Sequence, residues 1–368
     1  MKELKEIFRK IESSDPEHRL LLATVIEVEG SSYRLPGARM LIDENGSTLG
    51  MISGGCLEID ILERASMLSD NSRPIIFHYD TTKTDNSVFQ LNMGCQGVIR
   101  VFLEPINKES DFFKFLHLTL FDRKTGILVT VVDSDDKSLV GKRIFYLEEE
   151  ALYLGENWSD NFESLRQIVS EFTETKRQTL LISRKFDHEN YELFIEKLSP
   201  PIKLIIFGAG YDVIPLVEMA HLIGWDTCVI DSRPAFVDKK RFPNADQLLL
   251  LKPEEITEQI LKGQNLACVI MTHNYEHDKR LLSLALRSDF FYVGVLGPKK
   301  RIERLFSEDR EYFSTDQIQK LYSPMGLDIG AKTPETIALC VLAEIEAVFN
   351  RRSAGFLRDR KGSIYARY

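Results

Sequence analysis

Four short apolar runs rich in β-branched residues constrain this chain most: Lys203 to Phe207, Thr227 to Ile230, Ala267 to Met271 and Phe291 to Leu296. Amphipathic stretches of helical length separate them. A strand that is apolar on every residue needs cover on both faces, and a parallel sheet flanked by helices supplies it. The alternation therefore predicts βαβ units, so this half of the chain is α/β, a Rossmann-like parallel sheet. Its last helix is marked by Thr333 as a cap, by Pro334 in the first turn, and by Ile337, Val341, Ile345 and Val348 along one face.

The sheet begins after Leu198-Ser199-Pro200-Pro201, where two prolines end the preceding element and stiffen the connection. The expected organisation is an N-terminal α+β domain over residues 1–198, the Rossmann-like domain over 199–350, and a basic tail over 351–368. The N-terminal domain opens on an amphipathic helix carrying Leu4, Ile7, Phe8 and Ile11. A strand follows over Leu20 to Val28. Then come Ala38 to Ile42 and Thr48 to Ile52, flanking Asn45-Gly46, a type I′ hairpin signal. A helix is expected from Leu57, with Ile61, Leu62, Ala65 and Leu68 on its apolar face. Residues 106–198 carry further strands and a helix but no motif, and no internal repeat is legible.

Composition closes several classes. A net charge of −9 does not suit a nucleic-acid scaffold, whose phosphate contacts need clustered Lys and Arg. No apolar run approaches the ~20 residues of a membrane span, and the charged N-terminus does not read as a signal peptide. Five cysteines without a CxxC pair argue against a disulfide framework or a tetrahedral zinc site, and point to a reducing cytoplasm.

The first strand of the α/β half runs into Gly208-Ala209-Gly210 and then a helix whose end is marked by Gly224. Gly208 permits a tight turn, and Gly210 lets backbone amides approach a phosphate at a helix N-terminus. Asp231 ends the second strand, where an acidic residue takes a ribose hydroxyl in dinucleotide-binding folds. The third position of the glycine pattern is Val213, which crowds helix against strand and argues against NAD(P). Ligands of such sheets sit beyond the carboxyl ends of the strands. There stand Arg233, Thr272-His273-Asn274, Gly297-Pro298-Lys299 and Ser323-Pro324-Met325-Gly326. His273 is a ligand candidate; as a bare residue type it fits a hydrogen-bonded loop histidine equally well.

Two cysteines lie in glycine settings. Ser53-Gly54-Gly55-Cys56 joins a strand to a helix, and the helix dipole there favours a thiolate, which can ligate a soft metal or carry a transferable sulfur. The alternative for Cys56 is a small residue filling a tight turn. Cys95, in Met93-Gly94-Cys95-Gln96-Gly97, is a second, weaker candidate metal contact, whereas Cys228, Cys268 and Cys340 lie in apolar runs and read as core. The loop Gly30 to Arg39 offers Ser31, Ser32 and Arg34 to a phosphate or a pterin edge, or is simply a well-formed turn.

Taken in order, GSSYRLPGARM, SGGCLE, IIFGAGYD, VIDSRPAF, RFPNAD, THNYEHD, VGVLGPKK and SPMGLDIGAKTPETIA resemble the XdhC/CoxI family of accessory proteins for xanthine dehydrogenase and carbon monoxide dehydrogenase. The resemblance spans both domains. It implies a cofactor chaperone rather than an enzyme: a protein that binds the molybdenum cofactor (molybdopterin), brings it to a cysteine desulfurase for sulfuration, and inserts it into an apo molybdenum hydroxylase of the xanthine dehydrogenase type. Cys56 matches the family's cysteine, Gly208 and Gly210 its glycine loop, and His273 its Thr-His histidine. The expected cofactor site comprises Ser31, Ser32, Arg34, Gly54, Gly55, Cys56, Gly208, Gly210, Asp231, His273 and Gly297, with Cys56 near the glycine loop and a homodimer as the expected assembly. The rival is an NAD(P)-dependent oxidoreductase with Asp231 on a ribose and His273 as acid or base; a third reading is a scaffold that only contacts the client enzyme. The cysteines do not supply the iron–sulfur pattern that the redox chain of a xanthine dehydrogenase requires.

Overall fold

The computed structural model describes residues 1–30, 32–55, 57–67, 73–80, 97–148, 152–155, 162–175, 177–186, 188–300, 304 and 313–361. The chain forms two compact units, one over Glu3–Ser199 and one that starts at Pro200. No helix among the described residues is long and apolar enough to cross a membrane.

The first unit runs α1 (Lys2–Ser13), β1 (Leu20–Gly30), β2 (Arg39–Asp43), β3 (Thr48–Gly50), α2 (Glu58–Ser66), β4 (Ile75–Asp80) and β5 (Gly97–Ile106). It continues α3 (Asp111–Leu120), β6 (Gly126–Ser134), β7 (Arg143–Leu147), β8 (Leu152–Gly155), α4 (Phe162–Glu174), β9 (Thr179–Phe186) and β10 (Glu189–Leu198). The two series have the same order of elements, and their antiparallel sheets have the same strand order, β3-β2-β1-β5-β4 and β8-β7-β6-β10-β9. The unit is an internal repeat that the sequence reading did not find.

The repeat extends to detail. Ile26 is the extra residue of a bulge in β1, and Val132 is its counterpart in β6. Gly37 donates its amide to the Val25 carbonyl, and Gly141 donates to Val131. Ile26, Phe102, Val132 and Phe194, two from each copy, form one buried cluster. Arg39 of the first copy pairs with Glu196 of the second, and Arg143 of the second with Glu104 of the first; all four side chains are no more than 7% exposed. Each arginine also donates Nη1 to a carbonyl two residues back, Gly37 at 3.0 Å and Gly141 at 3.2 Å. Phe112 of α3 serves both, with the guanidinium carbons 4.6 and 5.3 Å from its ring centre. A bidentate pair, Arg100 to Glu192 at 2.7 and 2.5 Å, adds a third cross-link between the copies.

The hairpin between β2 and β3 departs from the expected type I′ turn. Gly46 has φ +77°, but Asn45 is not left-handed, and type I′ needs both. Asp43 exchanges backbone bonds with Gly46 and Ser47 while its carboxylate accepts from the Asn45 and Ser47 amides at 2.9 and 3.0 Å. The result is an aspartate-braced turn closed by a glycine bulge.

The second unit carries a six-stranded parallel sheet: β11 (Lys203–Phe207), β12 (Asp226–Asp231), β13 (Gln247–Leu250), β14 (Leu266–Ile270), β15 (Tyr292–Val295) and β16 (Leu321–Tyr322). Their order is β13-β12-β11-β14-β15-β16, so the direction of winding reverses at β11 and opens a crevice between β11 and β14. Helices among its described residues include α5 (Val213–Leu222), α6 (Tyr275–Leu286), α7 (Thr315–Gln319) and α8 (Pro334–Phe349). Alternate residues feed two cores. Ile206, Val229 and Val269 pack with α5 and α8, whereas Ile205, Cys228 and Cys268 pack on the other face with α6. Thr333 caps α8 by accepting from the Thr336 amide, and Pro334 sits in its first turn, as expected. The edge strands β13 and β16 were not anticipated; the first is exposed at both ends and the second is two residues long.

Candidate functional site

The end of β11 is the best-formed candidate site. Gly208 has φ +116°, and a Cβ there would lie 2.4 Å from the Met271 carbonyl oxygen of the neighbouring strand. A Cβ on Gly210 would lie 2.3 Å from a carboxylate oxygen of Asp212. Only glycine fits at 208, where the obstruction is backbone, whereas at 210 a Cβ would have to displace the Asp212 side chain. The Gly208 amide donates to Ile230 and the Ala209 amide to Asp231 Oδ2 at 2.8 Å. The next three amides, of Gly210, Tyr211 and Asp212, donate to no acceptor among the described residues. They lie just ahead of α5, where the helix dipole adds positive potential. Val213 is fully buried in the core beneath α5, so the larger third residue is accommodated by packing rather than exposed to a ligand.

Asp231 does not stand open to a ribose. Its Oδ1 accepts from the Arg233 amide and Nε, both at 2.9 Å, and its Oδ2 from Arg233 Nη2 at 2.6 Å as well as from Ala209. Burial pushes this carboxyl's pKa up, but the bonds from Arg233 and the Ala209 amide outweigh it and hold the group below the usual carboxylate range. The carboxylate acts as a brace between the second strand and the glycine turn.

His273 follows β14 with φ +57°, a left-handed conformation that few residues other than glycine adopt. The conformation sets its ring over the turn, where Nε2 lies 3.0 Å from Asp212 Oδ2. The imidazole is largely exposed and the carboxylate mostly buried. Thr272 and Asn274 hold the loop on either side: Thr272 Oγ1 donates to Asp278 Oδ1 at 2.5 Å, and Asn274 caps α6. Asp212 went unnoticed in the sequence. The signal was available, because an acid within the glycine turn departs from what a phosphate-binding turn needs. Gly297 stands two residues beyond β15 with φ +140°, at the same carboxyl end of the sheet.

In the first unit, Ser31, Cys56 and Cys95 lie outside the described residues. Arg34 is tied to Glu3, Nη2 to Oε2 at 2.7 Å, while Ser32 is half-buried in the same loop. Gly55 has φ +106° and Gly54 is exposed beside the Tyr33 ring. The amides of this turn are largely used. Glu58 accepts from the amides of Ile52, Ser53 and Gly55 at 3.2, 2.7 and 3.1 Å and from the Ser53 hydroxyl. Burial raises the Glu58 pKa, but these bonds outweigh it and leave the group below its ordinary value. Sequence reasoning missed Glu58, whose five-residue spacing from Ser53 does not match the Ser-x-x-Glu capping pattern. Cys228, Cys268 and Cys340 are buried core thiols, as expected. No group of side chains that could hold a metal occurs among the described residues.

Comparison with known proteins agrees with this architecture. Residues 204–345 match the XdhC Rossmann domain, and residues 15–80 match the XdhC and CoxI family. A Bacillus subtilis protein, named as a probable subunit of xanthine dehydrogenase, is 33% identical over 90% of this chain and 93% of its own length. The molybdenum cofactor insertion chaperone PaoD of Escherichia coli is 21% identical over 89% of this chain and 83% of its own. A crystal structure described as a xanthine dehydrogenase from Bacillus halodurans superposes with a TM-score of 0.75 and 31% identity, covering 96% of this chain and 97% of that one. With both halves matched, and with a relative of this identity along nearly the whole length, the chain belongs to the XdhC and CoxI family.

Proposed function

We propose that this protein is a maturation factor for a molybdenum hydroxylase: it holds the molybdenum cofactor as cargo, passes it through sulfuration by a cysteine desulfurase, and delivers it to an apo-enzyme of the xanthine dehydrogenase type in the cytoplasm. The observation that carries the reading is the glycine turn, with three successive amides open at a helix start, in a chain similar along most of its length to a cofactor insertion chaperone. The turn suits the cofactor's phosphate, since its successive amides stand open at a helix start. His273 Nε2 lies 3.0 Å from the Asp212 carboxylate at the same place, so an anion there meets a hydrogen-bonded carboxylate rather than a bare one. Cys56 is the residue assigned to the sulfur or metal end of the cargo. The engaged state of Asp231 speaks against the oxidoreductase rival, which needs that carboxylate for a ribose.

The test is the metal and pterin content of protein purified from a host that makes the cofactor. Molybdenum and pterin should co-purify. His273→Ala should lower the retained amount about tenfold, the order expected when one charge-assisted contact at a partly exposed site is lost. Cys56→Ser should reduce sulfuration or activation of the client with the fold intact. Molybdenum absent from wild-type protein, or equal retention and client activation in both variants, would overturn the reading.

A further inference from the structure

The loop after β12 carries an arginine whose charge no described group takes up. Arg241 donates Nη1 to the Phe236 carbonyl at 3.0 Å, but its Nη2 is closed off from solvent and has no hydrogen-bond partner. In Arg39, Arg100 and Arg143 the unpartnered nitrogen is Nε, and the Nη groups of each hold a carboxylate. Arg241 is the reverse: a terminal nitrogen is idle, and no carboxylate pairs with it among the described residues. Three rings surround the guanidinium instead. The centres of Phe236, Tyr211 and Phe242 lie 4.7, 5.1 and 5.3 Å from its central carbon. Rings stabilise the face of the cation and leave its edge N–H unpaired, which is costly for a buried donor. The rings differ in freedom. Phe242 is core, and Phe236 is half-buried and also lies 3.9 Å from the Arg233 guanidinium carbon. Tyr211 is 79% exposed, and it is the middle residue of the turn whose three amides are open.

We infer that Arg241 is the cation of the anion site and that the Tyr211 ring is a movable cover over it, displaced when a phosphate monoester binds. The inference rests on the cofactor reading above and deepens it by assigning the charge partner of the cargo's phosphate and the residue that gates it. A phosphate monoester carries up to about two negative charges near neutral pH. A helix start supplies the equivalent of about half a positive charge. Asp212 places a carboxylate at the same turn, so amides and dipole alone leave the anion undercompensated. Of the two arginines stacked on Phe236, Arg233 is spent on Asp231 and Arg241 is not. A guanidinium edge and a row of backbone amides are complementary donors for the oxygens of one phosphate. Tyr211 belongs to both halves of the device. Its amide is one of the open donors, and its ring covers the cation. A ligand that binds the amides therefore arrives beside the ring, and the new bond to Nη2 offsets the loss of the ring contact.

Two measurements on the full-length protein test this, with inorganic phosphate as the probe. Calorimetry reads the ligand role. Arg241→Met should weaken phosphate binding at least tenfold, the loss of one charge-assisted donor, and Arg241→Lys should recover part of it. Tyr211→Ala keeps the amide and removes the cover, so it should strengthen binding severalfold. Labelling by phenylglyoxal, a guanidinium reagent, with mass spectrometry of the Arg241 peptide, reads the cover. Arg241 should react slowly in wild type, at least tenfold faster in Tyr211→Ala, and slowly again in that variant once phosphate is added. An arginine that serves packing alone predicts neither the tighter binding nor the protection. Melting curves report whether Arg241→Met folds; if it does not, the lysine variant and the labelling decide. Phosphate affinity unchanged in a folded Arg241→Met, or no protection by phosphate in Tyr211→Ala, would overturn the ligand role. Weaker binding or unchanged labelling in Tyr211→Ala would overturn the cover. Molybdenum and pterin content separates this inference from its parent. Cofactor retained while phosphate binding ignores Arg241 sinks only the inference, whereas Arg241-dependent phosphate binding in a protein that retains no cofactor sinks the parent reading and leaves the anion site standing.

Discussion

Arg39→Leu tests the account of how the first unit is held together. The guanidinium and the Glu196 carboxylate are both 4% exposed, and Glu196 has no other side-chain partner among the described residues. Removing the arginine strands a buried carboxylate, which costs about 3–5 kcal/mol. It also removes the bond to the Gly37 carbonyl and the contact with the Phe112 ring, so the upper part of that range is expected. Against a total stability of about 5–15 kcal/mol, the change is large. Arg39→Leu with Glu196→Leu takes both charges away and should cost at least about 2 kcal/mol less than the single change. Because Arg143 and Glu104 repeat the arrangement in the other copy, Arg143→Leu should cost nearly the same as Arg39→Leu. Urea unfolding of the intact chain, followed by circular dichroism, measures all three. A single-variant cost below about 1 kcal/mol, a double variant worse than the single, or a difference above about 2 kcal/mol between the two arginines would show that the pairs are not equivalent cross-links.

The Asp231 carboxyl is held below its ordinary range, so it contributes stability above about pH 4 that is lost as pH falls through its folded value. Asp231→Asn should therefore destabilise the second unit at pH 7 by on the order of 1–3 kcal/mol, with the gap from wild type narrowing on acidification; a gap independent of pH between 7 and 2.5 would contradict the assignment. Burial pushes the Cys228 thiol up to about 11 and raises those of Cys268 and Cys340 as well. Iodoacetamide at pH 8 should leave these three unmodified in the folded protein, and mass spectrometry finding any of them labelled before unfolding would refute their role as core. Gly210→Ala should abolish inorganic phosphate binding at the turn while shifting the melting temperature little more than an ordinary surface change, since the obstruction falls on the movable Asp212 side chain; unchanged phosphate affinity by calorimetry would remove the turn from the site.

The sequence by itself determined the second unit. Its strands are apolar on both faces, a pattern that has one architectural solution, and the caps and glycines that bound its helices act within a few residues of themselves. The glycine turn and the place of His273 were legible for the same reason. What the turn offers was not. Asp212 and His273 are 61 positions apart, and they meet because β11 and β14 are neighbours in the sheet. Asp231 looked like a ribose ligand and is a brace, because only the folded loop brings Arg233 and the Ala209 amide onto its two oxygens. The repeat in the first unit was hidden for a further reason. Gly37 and Gly141 lie 104 positions apart but Glu104 and Glu196 only 92, since the loops between equivalent strands differ in length. Antiparallel pairing asks only for alternation and tolerates almost any side chain that fits, so two copies keep one topology while their sequences drift. Identity survives where the fold needs a specific charge, at the arginine and glutamate pairs buried between the copies, and only the tertiary structure shows those residues facing one another.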